Sequence, residues 1–271
     1  MSSLDSDSGL LEALVAAALE AGRAIHDIYA SGFEVSHKAD ATPVTDADRA
    51  AESIILEHLK RIAPGVPVVA EEEVAAGRTP AVGEEFFLVD PLDGTKEFVQ
   101  RRGDFTVNIA LTRGGVPVLG VVYAPANSQL FAGSVRAHQA FRSEQRVTST
   151  APAPRTPIRV RPAPSSGLTV VASRSHSTPE TDTYLAQYAV ADRVAIGSSL
   201  KFCLVASGTA DLYPRLGPTM EWDTAAGHAV LAAAGGRVLA PGNVPLRYGK
   251  PGFRNPWFIA SGTLVPAPLA V

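Results

Sequence analysis

The stretch from residue 86 to residue 95, Phe-Phe-Leu-Val-Asp-Pro-Leu-Asp-Gly-Thr, constrains the fold more than any other part of the chain. Its first four residues form a continuous apolar run, which is typical of a strand covered on both faces. Such a strand requires a chain that can build a sizeable core. With 271 residues, of which 46% are hydrophobic, this chain can do so, and the composition excludes a disordered protein.

The charge balance restricts the class of ligand. Lys and Arg total 24 against 27 Asp and Glu, which gives a net charge of −3. This balance argues against binding to a nucleic acid polymer, which favours a basic face, but allows a small phosphorylated ligand held by a few local cations. Cys203 is the only cysteine and predicts no internal disulfide. The apolar stretch 10–19 contains Glu12 and is too short to span a membrane, so we expect a cytoplasmic protein.

The first half of the chain predicts two helices followed by a mostly antiparallel sheet. Apolar residues recur at helical spacing over 8–29, and a second helix begins near Thr45, with Asp48 three residues on, and ends at Pro64-Gly65. Strands are predicted over 66–70, 86–89, 105–112, 116–123 and 130–133. The sequence Arg113-Gly114-Gly115 predicts a hairpin between the third and fourth of these.

The second half follows a segment, 151–164, that contains five prolines and predicts a boundary. We therefore divide the chain into an N-terminal α+β part, residues 1–150, and a C-terminal α/β part, residues 151–271. In the second part strands and helices alternate, which is typical of an α/β unit. The predicted strands are 168–172, 193–196, 211–214 and 257–260, and the predicted helices are 179–188, 200–207 and 224–234.

Two carboxylates follow the apolar run of residues 86–89. Asp90 and Asp93 stand at the end of the predicted strand and can face one cavity, and hard oxygen ligands of this kind suit Mg²⁺. Gly94 and Thr95 lead into a short helix, whose free N–H groups favour an anion. The pattern thus predicts metal ligands beside a phosphate-binding turn. The alternative is an Asx turn with Asp93 as a helix cap.

Three other acidic positions carry weaker signals. Glu71-Glu72-Glu73 follows a short predicted strand, and when this run is considered alone a solvated acidic turn is the favoured interpretation. Asp223 precedes a predicted helix and would serve as an N-cap, while Asp48 in the first turn of the second helix would offset the helix dipole. Each of these positions remains open when considered alone.

Together, three blocks resemble the lithium-sensitive, magnesium-dependent phosphatases of the inositol monophosphatase superfamily. The blocks are Ala70-Glu71-Glu72-Glu73, the run from Asp90 to Thr95, and Trp222-Asp223-Thr224-Ala225-Ala226-Gly227. They fall in the family order, and the predicted two-part architecture fits as well, so the resemblance covers nearly the whole chain. One departure is Ala70, where many members have glycine. The resemblance implies a layered αβαβα sandwich of two sub-domains, the first binding metal and the second binding substrate.

Further segments resemble the CysQ-type 3′(2′),5′-bisphosphate nucleotidase branch of this superfamily. They are Lys96-Glu97-Phe98, Ser173-Arg174-Ser175-His176, Gly197-Ser198-Ser199-Leu200-Lys201-Phe202 and Asp211-Leu212-Tyr213-Pro214-Arg215. The resemblance implies that Gly94, Thr95, Lys96, Ser175, His176, Lys201, Arg215 and Asp223 bind the substrate. Cations suit a bisphosphate, since Arg offers a bidentate fork and Lys a point charge. The alternatives are a solvated helix residue for Lys201, a surface loop residue for His176 and a salt bridge to Glu221 for Arg215.

The resemblance also implies a reaction. The metal ligands would be Glu71, Asp90, the backbone oxygen of Leu92, Asp93 and Asp223. They would hold two or three Mg²⁺ ions, with Mn²⁺ as a substitute and Li⁺ as an inhibitor. The catalytic residues would be Asp93 and Glu71, together with Thr95 and Asp48, which orient water and accept its proton. The substrate would be adenosine 3′,5′-bisphosphate, with 3′-phosphoadenylyl sulfate as a further one.

Other functions stay open at this point. An inositol monophosphatase or a fructose 1,6-bisphosphatase would share the metal chemistry, and an inactive phosphonucleotide-binding protein would share the fold. A complete acidic set argues against the inactive form. The superfamily includes both dimers and monomers, so the resemblance is compatible with a homodimer. Cys203 is expected to be a buried, inert thiol and His228 a packing residue.

Overall fold

The computed structural model describes residues 6–37, 43–173 and 178–269. Its two first helices are α1 (Asp7–Ser31) and α2 (Asp46–Ile62), separated by a small antiparallel pair, β1 (Val35–His37) and β2 (Pro43–Thr45). The Ser6 side chain caps α1 by accepting the N–H of Gly9, and the predicted start of α2 at Thr45 is confirmed by a capping box with Asp48.

A seven-stranded sheet follows, in the order β3-β4-β5-β6-β7-β8-β9. Only β3 and β4 are parallel, and the other neighbours are antiparallel. The predicted hairpin is confirmed, because Gly114 and Gly115 join β5 to β6 with φ of 56° and 73°. The strands are β3 (Val68–Ala70), β4 (Glu85–Asp93), β5 (Thr106–Arg113), β6 (Val116–Ala124), β7 (Gln129–Ser134), β8 (Gln139–Glu144) and β9 (Arg155–Pro157). Two short helices belong to this half: α3 (Glu71–Ala75) and α4 (Thr95–Val99).

Strand β4 is longer than the sequence predicts. It continues past residue 89 to Asp93. Two residues of β4, Pro91 and Leu92, lie opposite one residue of β5, Val107, so that Asp90 pairs with Asn108 and Asp93 with Thr106. This irregularity is a bulge, and a bulge is one of the few places where a sheet accepts a proline such as Pro91. The bulge turns the end of the strand without ending it.

The second sheet has six strands in the order β11-β10-β12-β15-β13-β14. Strands β10, β11 and β12 are parallel, as the predicted alternation implies, whereas β13, β14 and β15 are antiparallel. The strands are β10 (Leu168–Ser173), β11 (Val190–Ile196), β12 (Leu212–Arg215), β13 (Arg237–Ala240), β14 (Val244–Pro245) and β15 (Phe258–Ser261). The helices are α5 (Pro179–Leu185), α6 (Leu200–Ala206) and α7 (Ala225–Ala233), and short 3₁₀ turns occupy Pro125–Asn127, Pro241–Asn243 and Pro251–Phe253.

These elements form five layers. Helices α1 and α2 pack on one face of the first sheet, α6 and α7 lie between the two sheets, and α5 covers the outer face of the second sheet. Successive residues of β4 show this directly, since Phe87 packs toward α1 and α2 while Phe86 and Leu88 pack toward the central layer. The αβαβα sandwich predicted for the chain is therefore confirmed.

Small residues let α7 approach the first sheet closely. A Cβ atom on Gly120 of β6 would lie 2.4 Å from the carbonyl oxygen of Ala226, and one on Gly133 of β7 would lie 2.9 Å from the Cβ atom of Ala233. Since real Cβ atoms do not approach so closely, only glycine fits at these two positions. The contact fixes where α7 begins, and therefore where Asp223 lies.

The proline-rich segment contributes to the first sheet. Residues Arg155–Pro157 form β9, which pairs with β8 at the sheet edge, where prolines are tolerated. The division of the chain at residue 150 stays a prediction. Among the described residues, no helix combines the length and apolar character needed to cross a membrane.

Candidate active site

A cleft of about 270 Å³ opens where the ends of the two halves meet. Its walls include residues from α3, β4, α4, α6, β12 and the turn before α7. They contain most of the site residues predicted from the sequence. Among them are Glu71, Asp90, Leu92, Asp93, Gly94, Thr95, Lys96, Lys201, Arg215 and Asp223.

Three carboxylates converge at one end of this cleft. Glu71, Asp90 and Asp223 each offer an oxygen, and these three oxygens lie within 4.8 Å of one another. They come from the start of α3, the bulge of β4 and the turn before α7, so that residues more than 150 positions apart in sequence meet at one point. Asp90 is buried and the other two are partly buried, and a set of carboxylate oxygens of this size suits a hard divalent cation.

The electrostatics of the cluster support that interpretation. Burial raises the pKa of Asp223 well above its ordinary value, and the negative charges of Asp93 and Glu71 raise it further. Burial likewise raises the pKa of Asp93, although Lys201 opposes the effect. Carboxylates this close repel one another unless a cation lies between them. The chemistry of the donors therefore fits a divalent metal ion.

The alternative roles considered for the aspartates apply only in part. Asp90 does form an Asx turn, because its Oδ1 accepts the N–H of Leu92 at 3.0 Å. Asp93 does not cap α4, whose N-cap is Gly94, and Asp223 does not cap α7, whose N-cap is Thr224. Instead, Asp223 Oδ2 accepts the N–H of Met220 at 2.8 Å.

Asp48 and Thr95, predicted to work together, are in contact. The Thr95 hydroxyl lies 3.1 Å from Asp48 Oδ1 and 3.2 Å from the Leu92 carbonyl oxygen. The other oxygen of Asp48 accepts both the N–H and the hydroxyl of Thr45, each at 2.7 Å. Asp48 thus caps α2 with one oxygen and faces Thr95 with the other, and burial raises the pKa of its carboxyl.

The turn after Asp93 depends on glycine. Gly94 has φ of 94°, a conformation that favours glycine, and a Cβ atom there would lie 3.2 Å from the Asp104 carbonyl oxygen. The five-residue helix α4 begins at the next residue, Thr95. Gly94 and Thr95 therefore line the same cleft as the acidic cluster.

Three cations line the same cleft: Lys96, Lys201 and Arg215. Lys201 is 6% exposed and donates to the Ser198 carbonyl oxygen at 2.5 Å. Burial lowers the pKa of Lys201 to about 8, and the charge of Asp93 opposes this shift. Arg215 donates to the Pro218 carbonyl oxygen at 2.9 Å, while its buried Nε has no hydrogen-bond partner among the described residues. A solvated Lys201 and a salt bridge between Arg215 and Glu221 are therefore both wrong.

Glu221 pairs elsewhere. It is fully buried, its Oε1 lies 2.6 Å from Lys250 Nζ, and its Oε2 accepts the N–H of Gly249 at 2.7 Å. Asn255 adds to the support of the same turn by donating to Met220 O at 2.8 Å and to Thr224 Oγ1 at 3.0 Å. These contacts hold the turn that carries Asp223.

The sequence did not single out every residue that matters here. Ser199 is 1% exposed; its hydroxyl lies 2.7 Å from the Asp223 carbonyl oxygen and 3.2 Å from Asp93 Oδ2. It falls inside the Gly197–Phe202 segment, which was noted for its cation and not for its hydroxyls. The predicted substrate residues Ser175 and His176 lie outside the described residues. Cys203 and His228 are buried as expected.

Sequence comparison matches this arrangement to a family. Residues 7–258 match the Inositol monophosphatase family. The chain belongs to the inositol monophosphatase family. This metal-dependent family is the one that the three acidic blocks indicate, and those blocks supply the carboxylates that converge in the cleft.

Relatives within the inositol monophosphatase family share most of the chain. The 3′(2′),5′-bisphosphate nucleotidase CysQ of Escherichia coli O157:H7 is 46% identical over 255 residues, covering 93% of this chain and 99% of the relative. CysQ from Bacteroides thetaiotaomicron superimposes with a TM-score of 0.78 at 40% identity, covering 94% of this chain and 97% of that one. An inositol monophosphatase from Anabaena superimposes at 0.73 with 27% identity, covering 94% and 92%.

Proposed function

We propose that this protein is a Mg²⁺-dependent 3′(2′),5′-bisphosphate nucleotidase. It hydrolyses the 3′-phosphate of adenosine 3′,5′-bisphosphate to give AMP and phosphate. The observation that carries the proposal is the combination, in one cleft, of an acidic cluster with the cations Lys201 and Arg215 from the second half of the chain. The similarity to CysQ over 93% of the chain supports it.

The acidic cluster holds the metal. Its three carboxylates, Glu71, Asp90 and Asp223, would be joined as ligands by the neighbouring carboxylate of Asp93 and the backbone oxygen of Leu92. Bound there, Mg²⁺ supplies charge neutralisation for the transferring phosphate and a lower pKa for water.

Thr95 and Asp48 prepare the attacking water. The Thr95 hydroxyl has two acceptors within 3.2 Å, Asp48 Oδ1 and Leu92 O, so it is held in place with a lone pair facing the cleft. Asp48 Oδ1 is the oxygen that does not take part in capping α2. Burial raises the pKa of the Asp48 carboxyl, which favours its role as a general base. Glu71, which also lines the cleft, is the second candidate for the proton acceptor.

The phosphate that does not react is bound by the cations. Arg215 Nε is buried and unpartnered among the described residues, and a phosphate oxygen would satisfy it. Lys201 adds a buried charge beside it, and the N–H groups of Gly94 and Thr95 face the phosphate that is cleaved. A substrate with two phosphates uses both ends of this cleft, whereas a sugar monophosphate uses only one.

A substrate panel tests this proposal. Phosphate release is measured with Mg²⁺ from adenosine 3′,5′-bisphosphate, 3′-phosphoadenylyl sulfate, inositol 1-phosphate and fructose 1,6-bisphosphate, with and without Li⁺. We expect the adenosine bisphosphate to give the highest kcat/KM. Equal or faster hydrolysis of inositol phosphate would contradict the nucleotidase, and no release from any ester would favour an inactive binding protein.

The variant Arg215→Gln sharpens the test. It keeps a polar side chain but removes the charge, so KM for the bisphosphate should rise about tenfold or more while kcat changes little. Arg237→Gln, at an exposed position on β13, is the matched control.

A further inference from the structure

The helix that carries Glu71 has little of its own to hold it in place. Helix α3 spans only five residues, Glu71–Ala75, and none of its side chains is fully buried. Val74 packs only partly against the central core. Helices this short are not stable in isolation, because forming the first turn is unfavourable and no further turns follow to add stabilising hydrogen bonds. The direction of the Glu71 carboxylate therefore depends on contacts from outside α3.

The residue before α3 cannot supply such a contact. Ala70 occupies the N-cap position, where a Ser, Thr, Asp or Asn side chain would normally accept an N–H from the first turn. Alanine has no acceptor atom. The first-turn N–H groups must find acceptors elsewhere or lose a hydrogen bond on burial.

Glu52 of α2 supplies the missing acceptor. Its side chain is 4% exposed, and its Oε2 accepts the N–H of Glu72 at 2.9 Å. Burial raises the pKa of Glu52 to about 7, and the neighbouring carboxyls of residues 71–73 contribute to the shift. Burying a carboxyl group among other carboxyls is unfavourable. The hydrogen bond that Glu52 accepts from the Glu72 N–H offsets part of this cost.

We propose that Glu52 is a positioning residue for Glu71: by accepting the Glu72 N–H, it caps α3 from the neighbouring helix and aims the Glu71 carboxylate at Asp90 and Asp223. The inference rests on the proposed metal role of Glu71. Glu52 itself contributes through the backbone of the next residue and binds neither metal nor substrate.

The experiment compares Glu52→Ala with Glu52→Gln. The amide oxygen of glutamine still accepts the Glu72 N–H, whereas alanine cannot. Glu57→Ala, at an exposed position on the same helix, is the control. Two quantities are measured on the purified full chain: the affinity for Mn²⁺ by calorimetry, and hydrogen exchange at the Glu72 amide in metal-free protein. Neither measurement needs substrate.

We expect Glu52→Ala to weaken Mn²⁺ binding by about 10- to 100-fold, the usual effect of losing a group that orients a ligand. Exchange at Glu72 should accelerate in the same variant. Glu52→Gln should restore both values to within about threefold of the wild type, and Glu57→Ala should change neither. If Glu52→Ala does not fold, Glu52→Asp, which is one methylene too short, takes its place with the same expectation.

Three results would overturn the inference. They are wild-type Mn²⁺ affinity in Glu52→Ala, affinity as weak in Glu52→Gln as in Glu52→Ala, and unchanged exchange at Glu72. A wild-type protein that binds no Mn²⁺ would instead overturn the proposed metal-dependent function, and this inference with it. A protein that binds Mn²⁺ but hydrolyses no bisphosphate leaves the Glu52 test intact.

Discussion

Two regions bring aspartates to the cleft, and they hold them in different ways. Asp90 and Asp93 belong to β4, whose own strand pairing and bulge fix them with help from adjacent residues. Asp223 lies in an irregular turn that is held from outside, by Lys250, Gly249 and Asn255. The geometry of the first region, β4 with its bulge, is fixed by local contacts. The geometry of the second region, the Asp223 turn, depends on contacts with a distant part of the chain. A substitution in β4 should therefore affect chemistry alone, and one around the Asp223 turn should affect stability and chemistry together.

The largest effect on activity is expected for Asp93→Asn. The change removes one charge from the metal site and should lower kcat/KM by about a thousandfold, since charge stabilisation by a bound metal is worth several kcal/mol. The free energy of unfolding of the metal-free protein should not fall, because the raised pKa of Asp93 shows that its charge is unfavourable there. Steady-state kinetics and urea unfolding measure the two quantities.

Asp27→Asn, at an exposed position on α1, is the control for this prediction. A variant of Asp93 that keeps near-wild-type turnover would contradict its assignment as a metal ligand. A large loss of stability would contradict the idea that β4 holds its geometry locally.

The local region is also the one that the sequence could predict. The apolar run before Asp90, the turn at Gly94 and the short helix after it are encoded by neighbouring residues, so their pattern is visible without a structure. The exception is the end of the strand. The predicted strand ends at residue 89, but β4 accommodates Pro91 in a bulge and continues to Asp93.

The distant supports were not predictable in the same way. Glu221 stands next to Asp223, but its partners lie 28 and 29 residues further along the chain. The strands β13 and β14, which precede these partners, are four and two residues long and too short to show a clear period. Glu52 likewise looks like any helix residue until the fold brings α3 against it.

The second largest effect is expected for Glu221→Gln, which removes the charge opposite Lys250. The ammonium of Lys250 would remain largely buried with only neutral acceptors, such as Asn255 Oδ1 at 3.2 Å. We expect the free energy of unfolding to fall by about 3 kcal/mol, the lower end of the range for breaking a buried pair. Mn²⁺ affinity should fall in parallel, because the turn carrying Asp223 loosens. Urea unfolding and calorimetry check the two changes.

The double variant Glu221→Gln with Lys250→Met tests the cause. Removing both charges should recover part of the lost stability, since no unpaired ion is left. If Glu221→Gln is as stable as the wild type and binds Mn²⁺ equally well, the Asp223 turn does not depend on this pair.

A smaller effect is the pH dependence of the free energy of unfolding, which arises from His228. This residue contacts the side chains around the Asp223 turn. His228 Nδ1 lies 3.1 Å from the hydroxyl of Tyr248, which in turn donates to Thr224 Oγ1 at 3.2 Å. Burial lowers the pKa of His228 to about 3. Between about pH 3 and the pKa of about 6.5 in the unfolded chain, His228 is protonated in the unfolded state but neutral in the folded state. The free energy of unfolding therefore decreases as the pH falls through this range.

The size of this pH effect follows from the difference between the folded and unfolded pKa values of His228. From pH 7 to pH 5, His228 should lower the free energy of unfolding by about 2 kcal/mol. The buried carboxyls act in the opposite direction, so the comparison is made with His228→Phe, which packs but does not titrate. Unfolding of both proteins in urea at pH 7 and pH 5 measures the difference. If the gap between them does not change with pH, His228 is not buried in its neutral form.

The smallest effect is expected at the residue that joins the two regions. The Ser199 hydroxyl lies 2.7 Å from the Asp223 carbonyl oxygen and 3.2 Å from Asp93 Oδ2, and it can donate its single hydrogen to one of them at a time. Ser199→Ala should weaken Mn²⁺ binding by about fivefold, which corresponds to roughly 1 kcal/mol for one hydrogen bond. Ser207→Ala, which removes a hydroxyl at the other end of α6, is the control and should leave the affinity unchanged.

A double-variant cycle on Mn²⁺ affinity then decides which region Ser199 serves. If the hydroxyl acts through Asp93, the effect of Ser199→Ala should shrink in an Asp93→Asn background, because the shared partner has already been altered. If it acts by holding the backbone of Asp223, the two effects should add. Additivity would make Ser199 one more outside support of the Asp223 turn, and a shrinking effect would make β4 the region that depends on a residue from the second half.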